Sequence, residues 1–230
     1  MISGIIFDLD GTLLDTLEDL TDSVNFALNK YSYPQKSIDS VKRAVGSGVR
    51  ILFQRVLPNG ESSEHFEDVI SAFKEHYKSN MFNKTHPYDG ILEMLRELKL
   101  KGIQTAVVSN KFDTAVKDLC KKYFGDLIHV AIGENEAEGV RKKPAPDSVF
   151  KAIEQMRVRI EHVIYAGDSE TDVQTARNAE IDCIGCAWGF RDKSVLQDEG
   201  ARYIIELTEQ IFDIIKLYEL LCRLSLKNKI

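Results

Sequence analysis

The sequence predicts an α/β fold: a doubly wound, mostly parallel sheet with an α-helical domain inserted into it. Three observations carry that expectation. Six short apolar runs read as strands, at residues 4–7, 104–108, 127–132, 162–166, 183–186 and 203–205. Most are rich in β-branched residues and almost continuously apolar, as strands covered by helices on both faces are. Helical patterns separate several of these runs, and alternating strands and helices imply right-handed crossovers.

In chain order, the first strand is followed by a long stretch with no convincing strand but repeated helical spacing. Leu20, Val24, Ala27 and Leu28 form one apolar set, Val49, Leu52, Phe53 and Val56 a second, and Val69, Ile70, Phe73 and Tyr77 a third. A helical insert over residues 17–83 accounts for them, leaving 1–16 and 84–230 as the α/β core. The insert is expected to hang beside the carboxyl end of the first strand. Residues 90–100 then place Ile91, Leu92, Leu95 and Leu98 on one helical face, and 114–123, 147–156 and 171–178 read as further helices. The stretch 208–224 carries Ile211, Ile214, Ile215, Tyr218 and Leu221 at the spacing of an amphipathic helix expected to pack on the core.

Composition narrows the function classes. The chain has 230 residues, 43% hydrophobic and 29% charged, which is ordinary globular material. A formal net charge of −6 argues against general affinity for nucleic acid or anionic membranes. No run approaches the roughly 20 apolar residues of a membrane span. The N-terminus lacks a basic leader and a small-residue cleavage site, so a cytoplasmic monomer or homodimer is expected. Cys183 and Cys186 form a C-x-x-C, but within an apolar strand their side chains face opposite sides, which suits a core rather than a redox pair. The segment starting at Gly46-Ser47-Gly48 lacks the third glycine and the preceding strand of a dinucleotide fingerprint. No two histidines stand at helical metal-binding spacing, and the basic runs at 121–122 and 227–229 read as solvated faces.

Four segments carry candidate chemistry. Asp8-Leu9-Asp10-Gly11-Thr12 follows the first strand, where open α/β sheets bind ligands. Two carboxylates two residues apart at that edge call for a cation, and Gly11 permits a sharp turn with close backbone approach. Ser109-Asn110-Lys111 follows the second strand, where a small hydroxyl just before a helix start suits a phosphoryl oxygen. Lys143, preceding Pro144-Ala145-Pro146, has a restricted, extended backbone that holds its charge in a defined place. Gly167-Asp168-Ser169-Glu170-Thr171-Asp172 again ends a strand, with Asp168 and Asp172 meeting around a first helical turn in a manner suited to Mg²⁺. Simple N-capping by Asp168 is the alternative.

In this order and context, the four segments resemble the four motifs of the haloacid dehalogenase-like hydrolases, with a Rossmann-like core. The helical insert resembles the cap of one branch, and Val45-Gly46-Ser47-Gly48-Val49-Arg50 together with the KPAPD loop resembles its phosphoglycolate phosphatase group. The resemblance implies a Mg²⁺-dependent phosphatase acting on a small-molecule phosphate ester. It makes Asp8 the nucleophile and Asp10 the acid and base. The metal falls to the carboxylates of Asp8 and Asp168, to the Asp10 carbonyl, and to Asp172 through water or Lys143. Ser109 and Lys143 bind phosphoryl oxygens, with Thr12 and Asn110 as further substrate contacts. Gly46 and Gly48 would bring backbone amides to the leaving group, and Arg50 would pair with its carboxylate, unless Arg50 is a solvated helix residue. Three rivals stand beside this reading: a sugar-phosphate phosphomutase of the same fold, a carbon–halogen hydrolase, and a regulatory binder with a vestigial site. The last is disfavoured by the complete set of charged groups, and the dehalogenase because it needs neither Asp10 as an acid nor a magnesium site at Asp168.

Overall fold

The computed structural model describes residues 1–135 and 139–227, with side chains to residue 224, so the terminal basic run at 227–229 lies outside the described side chains. A six-stranded sheet runs in the order β5-β4-β1-β6-β7-β8. Its strands are β1 (Gly4–Phe7), β4 (Gln104–Phe112), β5 (Val130–Glu134), β6 (Val163–Gly167), β7 (Asp182–Cys186) and β8 (Tyr203–Ile205). Every pairing in it is parallel. The chain winds outward from β1 through β4 to β5, then returns to build β6, β7 and β8 on the other side. The carboxyl end of β1 therefore lies where the winding reverses, the place where such sheets open a crevice.

β1 is buried at every residue, and alternation splits its side chains between two cores. Ile5 and Phe7 join one apolar cluster with the insert and α5 (Ile91–Leu100), while Ile6 joins Val149, Ala152 and Val173 in the other. Cys183 and Cys186 of β7 are divided in the same way between the two clusters. The remaining core helices are α6 (Asp113–Tyr123), α7 (Asp147–Met156), α8 (Glu170–Asn178), α9 (Lys193–Glu199) and α10 (Ile211–Lys227). Among the described residues, no helix is long and apolar enough to cross a membrane.

Between β1 and α5 stand four α-helices, α1 (Leu17–Lys30), α2 (Ile38–Ala44), α3 (Val49–Val56) and α4 (Phe66–Asn80). α1 and α4 pack through the apolar sets read from the sequence, with Val24, Leu28, Val69 and Phe73 all fully or almost fully buried. Both ends of this segment are tied together. β2 (Leu14–Asp15) pairs antiparallel with β3 (His86–Pro87). Buried Asp19 accepts hydrogen bonds from the Lys84 and Thr85 amides at 2.9–3.1 Å and from Thr85 Oγ1 at 2.8 Å. The two-residue strands show no periodicity, which is why sequence patterning predicts none.

Two boundaries differ from the sequence expectation. The third strand begins at Val130, because Gly125–Leu127 forms a 3-10 turn that uses up the start of the apolar run. β4 continues through Ser109-Asn110-Lys111 to Phe112, with an irregular register against β5 between Val108 and Phe112. Ser109 thus lies inside an extended segment, and helix α6 begins four residues after it, not directly.

Candidate active site

Two strand ends and the first turn of a helix deliver the carboxylates. Asp8 follows β1 directly, and its amide donates to the Ala166 carbonyl of β6 at 2.9 Å. Asp168 follows β6, and Asp172 lies one turn into α8. One oxygen from each of Asp8, Asp168 and Asp172 lies within 4.8 Å of the others, all three residues being buried. Glycine is required around them. Gly11 has φ +88°, and any side chain there would collide with the Asp168 carboxylate. At Gly167 a side chain would strike Asp172.

Each carboxylate is fixed by separate partners. Thr12 Oγ1 donates to Asp168 Oδ1 at 2.9 Å and the Phe190 amide donates to Oδ2 at 2.7 Å. The N-cap of α8 is Ser169, not Asp168, and Asp172 completes the capping box by accepting from the Ser169 amide at 3.1 Å and from its hydroxyl at 2.5 Å. The other Asp172 oxygen accepts from Lys143 Nζ at 2.7 Å and Tyr165 Oη at 3.1 Å.

Lys143 is the cation at the centre. Its Nζ lies 2.9 Å from Asp8 Oδ1, and only 2% of the side chain is exposed. Asn110 holds the lysine backbone from both sides: its Oδ1 accepts from the Lys143 amide at 2.8 Å, and its Nδ2 donates to the Lys143 carbonyl at 3.0 Å. The same Nδ2 donates to the Gly46 carbonyl of the helical insert at 3.1 Å. Asn110 thus ties the lysine loop and the insert to β4.

Three buried carboxylates therefore stand with one ammonium, which contacts only Asp8 and Asp172. Burial first, then the neighbouring Asp172 charge, pushes Asp8 up to about 7 against the opposing pull of Lys143. Asp168 is raised well above the carboxylate range by burial and by Asp172 and Asp8. Burial alone would discharge Lys143, but Asp172 and Asp8 outweigh it and raise its pKa. An all-oxygen donor set with about two uncompensated negative charges fits a hard divalent cation such as Mg²⁺.

Asp10 stands apart from this cluster. Thr16 Oγ1 donates to its Oδ1 at 2.7 Å, and Lys111 Nζ lies 2.9 Å from both of its oxygens. Lys111 is buried under Tyr77 of α4, with Nζ 4.5 Å from the ring centroid. Asp10, Lys111 and Tyr77 face a cleft between core and insert. Asp8, Asp10, Ser109, Asn110 and Lys111 line its core side, and Gly46, Gly48, Leu52, Phe73 and Tyr77 its insert side. Arg191 closes one edge, donating to the carbonyls of Lys42 and Val45 in the insert at 2.8 and 2.9 Å and to Glu170 Oε2 at 2.9 Å.

Of the residues singled out from sequence, Asp8, Asp10, Ser109, Asn110, Gly46 and Gly48 meet in this cleft, with Thr12, Lys143, Asp168 and Asp172 directly behind it. Arg50 does not join them. It lies half-exposed on the outer face of the insert, where Nε reaches Glu61 at 2.9 Å and Nη1 reaches Glu67 at 2.6 Å. Sequence reading gave no role to Lys111, Thr16, Tyr77 or Arg191. Lys111 carried one usable signal, since a lysine within a strand buried on both faces must find a counter-charge.

The sheet order, the helical insert and the acidic cluster define a Rossmann-like α/β enzyme with its site at the topological switch point. The chain belongs to the haloacid dehalogenase-like hydrolase family, whose model matches residues 5–186. The phosphoglycolate phosphatase of Aquifex aeolicus is 32% identical over 191 residues, spanning 81% of this chain and 85% of that protein. The phosphoglycolate phosphatase of Agrobacterium fabrum is 32% identical over 197 residues, 84% of each chain. A crystal structure from Lactobacillus delbrueckii subsp. bulgaricus superposes with a TM-score of 0.87 at 34% identity, covering 93% of this chain and 98% of that one.

Proposed function

We propose that this protein is a Mg²⁺-dependent phosphatase that hydrolyses a small phosphate monoester through an aspartyl-phosphate on Asp8, in the manner of a phosphoglycolate phosphatase. The observation that carries the proposal is a charge imbalance: Asp8, Asp168 and Asp172 are buried together, and Lys143, paired with Asp8 and Asp172, is the one cation among them. Such a cluster is costly unless a cation completes it. The similarity to phosphoglycolate phosphatases over more than four-fifths of the chain supports the substrate class.

Asp8 is the nucleophile because it is the carboxylate that both adjoins Lys143 and faces the cleft. Its oxygen attacks phosphorus in line, the P–O bond to the leaving alkoxide breaks, and Asp10 delivers a proton to that oxygen. Asp10 then takes a proton from water, the water oxygen attacks the phosphorus of the acyl phosphate, and the Asp8 carboxylate departs. Lys143 neutralises phosphoryl oxygen charge beside Asp8, and Ser109 contributes a hydroxyl donor from within β4. Bound Mg²⁺, held by Asp8, Asp168, the Asp10 carbonyl and Asp172 directly or through water, would lower the charge repulsion between the phosphate dianion and Asp8. Residues 17–83 form the cap that excludes water from the leaving-group side.

Release of inorganic phosphate from a panel of esters, with Mg²⁺ and with excess chelator, tests this reading. Metal-dependent release is expected. A panel that yields no phosphate under either condition refutes it.

A further inference from the structure

If the site is a phosphatase, something must recognise the leaving group, and Arg50 lies outside the cleft, paired with Glu61 and Glu67. Most of the cleft's insert side is apolar: Leu52, Phe73, Val45 and Val49. Two polar features stand out against it. Among the described residues that line the cleft, Lys111 is the only one with a cationic side chain. Tyr77 lines it too, and its fully buried hydroxyl lies against the Lys111 ammonium, which can only donate to it, with no acceptor for the hydroxyl's own proton. A buried hydroxyl whose proton has no acceptor is costly, and a ligand oxygen is the kind of acceptor that would complete it.

Both groups are held rigidly. Tyr77 is gripped by rings on two sides, stacked on Phe73 at 5.5 Å and edge-on to Phe112 of β4 at 6.1 Å between centroids. Its hydroxyl therefore cannot swing away to find water. Lys111 is anchored from β4, with its ammonium between the Asp10 carboxylate and the Tyr77 ring. Its charge is thus presented beside Asp10, the group that stands next to the leaving oxygen. The side chain is 4% exposed, so an anion reaching it would be desolvated, and charge-assisted hydrogen bonds are strongest there. An uncharged leaving group would leave this cation paired with Asp10 alone.

We propose that Lys111 and Tyr77 form the leaving-group subsite and select phosphate esters whose alcohol carries a carboxylate one or two carbons from the ester oxygen. The carboxylate accepts from Lys111 Nζ and from Tyr77 Oη, while the apolar wall of the insert limits its size. The proposal rests on the phosphatase reading above. It makes a core residue, Lys111, and an insert residue, Tyr77, read the same group, so the subsite is complete only when insert and core are together.

The test compares 2-phosphoglycolate with ethyl phosphate, which differ essentially by that carboxylate, in the wild type, Lys111→Met and Tyr77→Phe, all in saturating Mg²⁺. Circular dichroism checks that each variant is folded. The wild type should favour 2-phosphoglycolate. Lys111→Met should cut the ratio of the two kcat/KM values by about 10²-fold or more, and Tyr77→Phe by about 5- to 10-fold, as expected for losing a charged and a neutral partner of a buried anion. A calorimetric titration of 2-phosphoglycolate into Asp8→Asn, alone and combined with either change, should show the same order of weakening without turnover. A wild type that hydrolyses both esters equally, or variants that leave the ratio unchanged, overturns the subsite while leaving the phosphatase standing. Equal losses on both esters in Lys111→Met assign Lys111 to Asp10 alone and also overturn it. A wild type that hydrolyses neither ester overturns the phosphatase reading and the subsite with it.

Discussion

Replacing Asp8 with asparagine should stabilise the metal-free protein while destroying its activity. Asp8 is buried beside Asp172, and its pKa stands at about 7 against an ordinary 3.8. Below the ordinary value both folded and unfolded chains hold the proton, and the site costs nothing in this respect. As pH rises from there to about 7, the unfolded chain releases a proton that the folded chain keeps, so the folded state loses stability at about 1.4 kcal/mol per pH unit. Above about 7 the loss is complete, at about 4 kcal/mol. Asparagine has nearly the same shape and escapes this cost. It forfeits the attraction of Asp8 to Lys143, which keeps Asp172 at 2.7 Å. A net gain of about 2–4 kcal/mol near pH 8 follows, or about 5–15 °C in Tm for a chain of this length. Near pH 5 the gain should be smaller by about 2–3 kcal/mol, because the wild-type carboxyl is already neutral in the folded state. Thermal melts of both proteins in chelator at the two pH values measure it, alongside a turnover loss of about 10³-fold or more. An asparagine variant no more stable than the wild type near pH 8, or equally advantaged at both pH values, would refute the electrostatic account of the site.

Four further outcomes follow from the same geometry. Chelation should abolish turnover and Mg²⁺ restore it, and added Mg²⁺ should raise the wild-type Tm more near pH 8 than near pH 5, since the ion needs ionised carboxylates; full turnover in excess chelator contradicts the site. Asp10→Asn should lower kcat by about 10²- to 10⁴-fold, with rapid quenching showing both formation and breakdown of the acyl phosphate slowed. Asp19→Ala strands the Lys84 and Thr85 amides and the Thr85 hydroxyl, and should cost about 2–4 kcal/mol in chemical denaturation. Arg50→Ala should leave kcat/KM unchanged on both carboxylated and uncharged esters, because its partners are Glu61 and Glu67 on the outer face; a loss confined to the carboxylated ester would return Arg50 to the specificity site.

The strand-and-helix alternation and the helical insert are legible in the chain because they rest on periodicity, which is local. Asp8, Asp10, Asp168 and Asp172 are legible for a related reason. Each follows a strand by a few residues, and open α/β sheets bind ligands at that edge. The cysteines of β7 were readable as core residues by strand alternation alone.

What only the tertiary structure decided are pairings between single polar residues far apart in sequence. Lys111 meets Asp10 across 101 positions, Asn110 clamps Lys143 across 33, and Arg191 grips the Val45 carbonyl across 146. A lone lysine or arginine has no periodicity, and its partner depends on which elements the parallel sheet brings side by side. Arg50 shows the converse. In sequence it follows a glycine-rich turn that suits contact with a ligand, but α3 turns it toward Glu61 and Glu67, which only the packing of the insert places within reach. Sequence determines which groups stand at the strand ends, because backbone geometry is local. Packing determines which charges face the cleft and which face solvent, because burial leaves a charge stable only beside a partner that the rest of the fold supplies.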